Sequence, residues 1–326
     1  MTRRTAIRRA LLAAAIAPVA CRRAPSLRLL TFPESYGHHL SAGQGYYHQR
    51  QLTVQPQYFQ AFPRMMEALL AGEGDVATAY YDALLPLVAS GRDVVAFVSL
   101  AHRPGSVLVG SPAASRKVES VADLRGLKVG IPGPGSSSHH LLNAVLRKRG
   151  VPVEEVTPVA IGVAAGAIAA MELGKVDAAM MTNLGLATLR LKAPGITVLA
   201  DLRSAEGALE YLGNAVYPSL CLVALRSWLT ANGEAARRIA QCFLDANRWM
   251  SKHTPEQIRE ALPKEARAPD ARADIEAIRG MLPTLDTTGR LDLAAASAVC
   301  RVVGDSVESV RSARIDPART FVAGYV

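Results

Sequence analysis

Three consecutive serines, Ser136, Ser137 and Ser138, follow the turn-forming run Pro132-Gly133-Pro134-Gly135 and precede His139 and His140. Hydroxyls beside the free N–H groups of a helix start make a place where a small polar or anionic group binds. The adjacent pairs His38-His39 and His139-His140 invite a metal reading. Neighbouring side chains on a helix point about 100° apart, so such a pair chelates poorly, and no metal site is assigned. No nucleophile, base and orienting group can be placed from the spacing, so no catalytic residue is named. Gly133, Gly135 and Ser138 lack the third glycine of a dinucleotide fingerprint, and no cofactor is expected.

The elements around the serines explain their placing. Lys128–Ile131 reads as a short buried strand, and the helix after Ser136 sets Leu141, Leu142, Val145 and Leu146 on one face. Arg147, Lys148 and Arg149 suit the negative end of that helix, and Gly150 closes it. Elsewhere strands and helices alternate. Strands are predicted near Leu27–Phe32, Leu52–Phe59, Val76–Ala79, Val94–Leu100, Val107–Val109, Val156–Ala160, Asp177–Met181, Ile196–Ala200 and Val216–Ala224. This rhythm predicts an α/β fold with mostly parallel sheets flanked by helices.

An internal echo divides the chain. Leu69-Leu70-Ala71-Gly72-Glu73-Gly74-Asp75-Val76-Ala77 and Met171-Glu172-Leu173-Gly174-Lys175-Val176-Asp177-Ala178-Ala179 share one grammar. In each, a helix ends at glycine and an aspartate three residues on leads into a small buried strand. Both aspartates are read as structural. Two similar units predict two lobes with a cleft between them, a usual place for small ligands. Lobe 1 is expected from 27–109 plus 215–326, and lobe 2 from 110–214. The C-terminal third reads as helical and is expected against lobe 1. Ala236, Ile239, Ala240, Phe243, Leu244 and Met250 share a face there, and Thr254-Pro255-Glu256-Gln257 forms a capping box.

Composition narrows the classes. The chain has 326 residues, half hydrophobic and one-fifth charged, which suits a globular protein of two domains. Its formal charge is +9, with four arginines and no acid in residues 1–20, so the remainder carries +5. No basic block is interleaved with aromatics, and nucleic acid is not expected as a partner. Residues 1–20 read as an export signal: Arg3, Arg4, Arg8 and Arg9 precede an apolar run from Ala10 to Val19 that is too short to span a bilayer. The segment resembles a twin-arginine signal, with general secretion as the other route. Cys21 after Val19-Ala20 resembles a lipobox and is the expected lipidation position, the one membrane attachment considered. Cys221, Cys242 and Cys300 sit among apolar residues and read as buried thiols, with one disulfide left open.

MMEALLAGEGDVA, VADLRGLKVGIPGPGSSSHHLLNAVLRKRG and MELGKVDAAMM, behind an export signal, resemble the substrate-binding proteins of ABC importers. The resemblance is to the group serving nitrate, alkylsulfonates, taurine and the thiamine pyrimidine precursor, over roughly Leu27–Leu262. It implies a two-lobed, type II-like periplasmic binding protein with crossover strands as hinge. It also implies a monomer that works with an inner-membrane permease from the periplasm. Ligand contacts would come from loops after the strands: Phe32, Glu34 and Tyr36; Tyr80, Tyr81 and Asp82; Gly135, Ser136, Ser137, Ser138 and His139; Thr182 and Asn183; and Tyr217 in the return crossover. No arginine stands at these positions to clamp an anion, while four tyrosines could stack on a ring. The expected solute is therefore organic: a sulfonate, a carboxylate or an aminopyrimidine-like molecule. An enzyme on the same scaffold, like the eukaryotic thiamine-pyrimidine synthase, is the alternative, but that enzyme's cysteine-rich iron segment has no counterpart here.

Overall fold

A computed structural model describes residues 26–163 and 165–326. The expected export signal, 1–20, and Cys21 lie outside the described residues. The described strands are β1 (Ser26–Thr31), β2 (Thr53–Tyr58), β3 (Val76–Tyr80), β4 (Val94–Ser99), β5 (Ser106–Gly110), β6 (Lys128–Ile131), β7 (Thr157–Ala160), β8 (Ala178–Thr182), β9 (Val198–Asp201) and β10 (Leu220–Leu225). They form two five-stranded sheets, in the orders β2-β1-β3-β10-β4 and β7-β6-β8-β5-β9.

The two sheets repeat one plan. In each, three strands pair in parallel around the first of them, and one antiparallel strand joins the third to the edge. The antiparallel strands, β5 and β10, are those that arrive from the other lobe. Each also carries a register shift against its edge partner, at Leu222/Val223 and at Leu108/Val109. The crossovers run side by side: the Tyr217 amide donates to the His102 carbonyl at 2.8 Å, and the Ser219 amide to Ala101 at 2.8 Å.

The glycine–aspartate echo explains how each parallel trio is held. Gly72 and Gly174 have φ of +75° and +62°, the left-handed turn that glycine adopts without strain. Asp75 then exchanges bonds with Arg28 on β1: the Arg28 amide donates to its carboxylate at 2.8 Å, and its own amide donates to the Arg28 carbonyl at 2.9 Å. Asp177 does the same with Lys128 on β6, at 3.0 and 2.8 Å. Asp75 adds an ion pair to Arg28, and Asp177 adds the Ser115 amide and hydroxyl at 2.8 and 2.6 Å. Both aspartates therefore lock the first parallel strand to the third.

Apolar side chains fill both lobes. Leu27, Leu29, Val76, Phe97 and Leu222 are buried under the first sheet, and Val107, Val109, Met171, Ala179 and Met181 under the second. The helix Gly233–Met250 buries its apolar face, with Ala236, Ile239, Ala240, Phe243, Leu244 and Met250 all inside. It packs against the helix Tyr36–Gly43 beside the first sheet, while Ala271–Met281 packs along Asn183–Lys192 beside the second. Leu293–Gly304 touches Tyr81–Ala89 from one lobe and Ser137–Lys148 from the other. The C-terminal third thus straps both lobes rather than packing on lobe 1 alone. Thr254 and Gln257 form the expected capping box. Cys221, Cys242 and Cys300 are free thiols, and the first two are buried.

Candidate functional site in the interlobe cleft

Parallel strands of both sheets deliver their C-terminal ends to the space between the lobes. On the first sheet those ends are aromatic. Phe32 follows β1, Tyr58 closes β2 and Tyr80 closes β3, with the Phe32 and Tyr80 rings 6.2 Å apart. Tyr58 is 48 % exposed and Tyr80 38 %, although His39 stacks on one face of Tyr58. Tyr58 is absent from the sequence-derived set; its place at a strand end in register with Thr31 was the available signal. Glu34 is exposed in the loop beyond Phe32.

The opposing lobe is lined with hydroxyls. The helix Ser137–Lys148 begins at Ser136, whose Oγ accepts from the His139 amide at 3.3 Å, after Gly135 has turned the chain at φ +72°. Among the described residues, no acceptor meets the amides of Ser137 and Ser138. These are the orphan donors that a helix start leaves free. Gly135 donates its amide to Nδ1 of His139 at 3.1 Å, so that imidazole serves the turn. Thr182 ends β8 at the position that Tyr80 holds on β3, and its Oγ1 caps the next helix by accepting from the Gly185 amide at 3.2 Å.

A hydrogen bond joins the two helix starts across the cleft. Ser137 Oγ donates to Asp82 Oδ2 at 2.6 Å, joining the serine helix to the first turn of Tyr81–Ala89. Asp82 is 1 % exposed, and its Oδ1 has no partner among the described residues. Burial pushes its pKa up to about 6, against the opposing pull of the Ser137 hydroxyl and nearby backbone amides.

The remaining predicted residues are placed otherwise. Tyr81 has no exposed surface, and its hydroxyl meets Thr320 within the core, so it turns away from the cleft. A helix residue next to an exposed strand end faces inward, which is why Tyr80 and Tyr81 part company. Tyr217 is 1 % exposed, with its hydroxyl unpartnered among the described residues. Tyr36 is half-buried and donates to Asp274 at 3.1 Å on the C-terminal strap. Asn183 accepts from Arg203 Nη1 at 3.1 Å. Arg203, itself paired to Asp201 at 2.6 Å, is an arginine near the cleft that the sequence analysis did not find. Its charge is already answered by Asp201.

No cluster of three or more metal-ligating side chains occurs among the described residues. His38 is buried between the hydroxyls of Tyr47 and Tyr58, at 3.0 and 3.2 Å, and His39 stacks on Tyr58. Burial, with a smaller effect from His39, lowers the His38 pKa to about 4. Because the unfolded imidazole titrates near 6.5, its neutral burial stabilises the fold above that pH, and the contribution fades as pH falls toward 4. In urea titrations, the stability gap between wild type and His38→Gln is expected to shrink by about 2.5 kcal/mol between pH 7.5 and 4.5. A gap that does not change with pH would show that the His38 pKa is the same in the folded and unfolded chain.

Residues 33–258 match the family described as NMT1/THI5 like. The chain belongs to that family. A relative from Escherichia coli K12, named as an aliphatic sulfonates-binding protein, is 33 % identical over 143 residues, spanning 44 % of either chain. Among solved structures, one from Bordetella bronchiseptica RB50 superposes with a TM-score of 0.81 at 24 % identity, covering 92 % of this chain and 95 % of that one. The alkanesulfonate-binding protein of Xanthomonas axonopodis pv. citri, bound to MOPS, gives 0.71 at 21 % identity, covering 92 % and 98 %. The fold is that of the two-lobed periplasmic binding proteins, each lobe a mostly parallel sheet flanked by helices.

Proposed function

We propose that this NMT1/THI5-like protein is the solute-binding component of an ABC importer. It captures a small organic solute between the lobes and delivers it, chemically unchanged, to a membrane permease. The observation that carries the reading is the facing of unlike walls across a paired-strand hinge. Aromatic strand ends at Phe32, Tyr58 and Tyr80 stand on one side, and the hydroxyls of Ser136–Ser138 with the unpaired amides of Ser137 and Ser138 on the other. Aromatic faces hold a flat or apolar body, while a helix start holds a polar end. A solute touching both walls stabilises the closed form by its differential affinity, and the permease would recognise that form.

The lobes in this reading are 27–109 with 215–326, and 110–214. Export through residues 1–20, tethering through Cys21, a periplasmic location and a monomeric state belong to the same proposal. The sulfonate-binding relative and the alkanesulfonate-binding structure make oxyanion-bearing solutes the first to test, with carboxylates and aminopyrimidines beside them. Thermal-shift titration with these classes and with nitrate is expected to single out one organic class, recovered unaltered after incubation. Stabilisation by nitrate alone would overturn the organic solute, and conversion of the solute would overturn the non-enzymatic role.

A further inference from the structure

Two helices begin at the cleft from opposite lobes, Tyr81–Ala89 and Ser137–Lys148, and one side chain stands at both starts. Asp82 lies in the first turn of the former and accepts from Ser137 of the latter at 2.6 Å. A helix start carries partial positive charge and attracts anions, so two of them meeting define the most anion-favouring position in the cleft. This chain fills that position with its own carboxylate. Asp82 has no cationic side chain paired with it among the described residues, and it is all but sealed from water. Its Oδ1 and the Tyr217 hydroxyl, both buried, are unpartnered.

From this arrangement we infer that Asp82 is a resident anion that sets the specificity of the cleft. At the meeting of the two helix starts, it admits a solute group that donates hydrogen bonds, such as an amine, an amidine-like nitrogen or a hydroxyl, and rejects an oxyanion. The inference rests on the capture reading above and narrows it. Two negative charges cannot share a desolvated position, whereas Oδ1 needs a donor. A solute bearing an oxyanion must keep it away from Asp82, against the unpaired amide of Ser138 or in solvent. The sequence places an aspartate after β3 without showing that the second lobe closes over it.

The test is calorimetric titration at pH 7.5 with ethanesulfonate and with inorganic sulfate, on wild type, Asp82→Asn, Asp82→Ser and Ser137→Ala. Circular dichroism melts establish that each variant is folded, and the serine variant stands in should the asparagine one fail. The expected result is that removing the charge tightens oxyanion binding by about 100-fold or more. Ser137→Ala, which loses the bridge and keeps the charge, should reject oxyanions as wild type does. Equal oxyanion affinity in wild type and a folded, uncharged variant overturns the inference, as does oxyanion binding gained by Ser137→Ala alone. If wild type retains an organic solute while the uncharged variants gain no oxyanion, only this inference fails. If neither wild type nor any variant binds ethanesulfonate, sulfate or the solute selected by thermal shift, the capture reading falls with it.

Discussion

Asp177→Ala is expected to cost about 3 kcal/mol or more of stability and to lower the thermal midpoint by several degrees. Its carboxylate accepts from the Ser115 amide at 2.8 Å, the Ser115 hydroxyl at 2.6 Å and the Lys128 amide at 3.0 Å. Alanine leaves these donors without their acceptor: the Lys128 amide starts the β6–β8 pairing, and the Ser115 amide and hydroxyl anchor the loop after β5. Burial raises the Asp177 pKa, but the Ser115 hydroxyl, the two amides and the Lys128 charge outweigh it and hold the group below the ordinary carboxylate range. The stabilisation is therefore complete above the unfolded carboxylate pKa and is lost as pH falls through the lower folded value. Hydrogen exchange should show β6 and β8 losing protection first, with the first sheet spared. A midpoint within 1 °C of wild type at neutral pH would remove the aspartate lock from the account.

The other large effect concerns binding. Ser136→Trp combined with Tyr80→Ala is expected to abolish solute binding, weakening it by about 100-fold or more while the protein stays folded. Tyr80 is 38 % exposed and supplies a stacking face, so truncating it opens that wall without emptying the core. Ser136 is half-buried at the helix cap, and an indole there would occupy the space in front of the Ser137 and Ser138 amides. Loss of the cap bond to His139 costs only about 1 kcal/mol, too little to unfold a protein of this size. Equilibrium dialysis with the solute selected by thermal shift provides the measurement. Retained affinity in a folded double variant would place the binding site elsewhere.

Much of the architecture was legible because it is written in local patterns. Lys128–Ile131 is a strand with the bounds read from its hydrophobic run, and Gly72, Asp75, Gly174 and Asp177 announced two copies of one unit. Apolar periodicity also picked out the buried face of Gly233–Met250. What local pattern could not carry was the direction of single side chains and the partners of distant helices. Tyr80 and Tyr81 are neighbours of the same type, yet one faces the cleft and the other meets Thr320, because the chain passes from strand to helix between them. Tyr217 looked like a cleft residue and is sealed in the crossover. Tyr58 and Arg203 escaped notice, since their relevance follows from neighbouring strands and from Asn183, not from any motif. The straddling of both lobes by Leu293–Gly304 is likewise a property of tertiary packing alone.

The interlobe arrangement gives each part a task. In the proposed reading, paired crossovers let the lobes close, aspartate locks keep each sheet rigid as it moves, and unlike walls read the two ends of a solute. Native mass spectrometry of the protein as purified from an exporting host, beside the Ser136→Trp/Tyr80→Ala variant, probes this most directly. The account predicts a non-covalent one-to-one adduct of an unmodified organic molecule on the wild type and its absence from the variant. The same adduct on both proteins, or a molecule covalently attached or chemically altered, would contradict it.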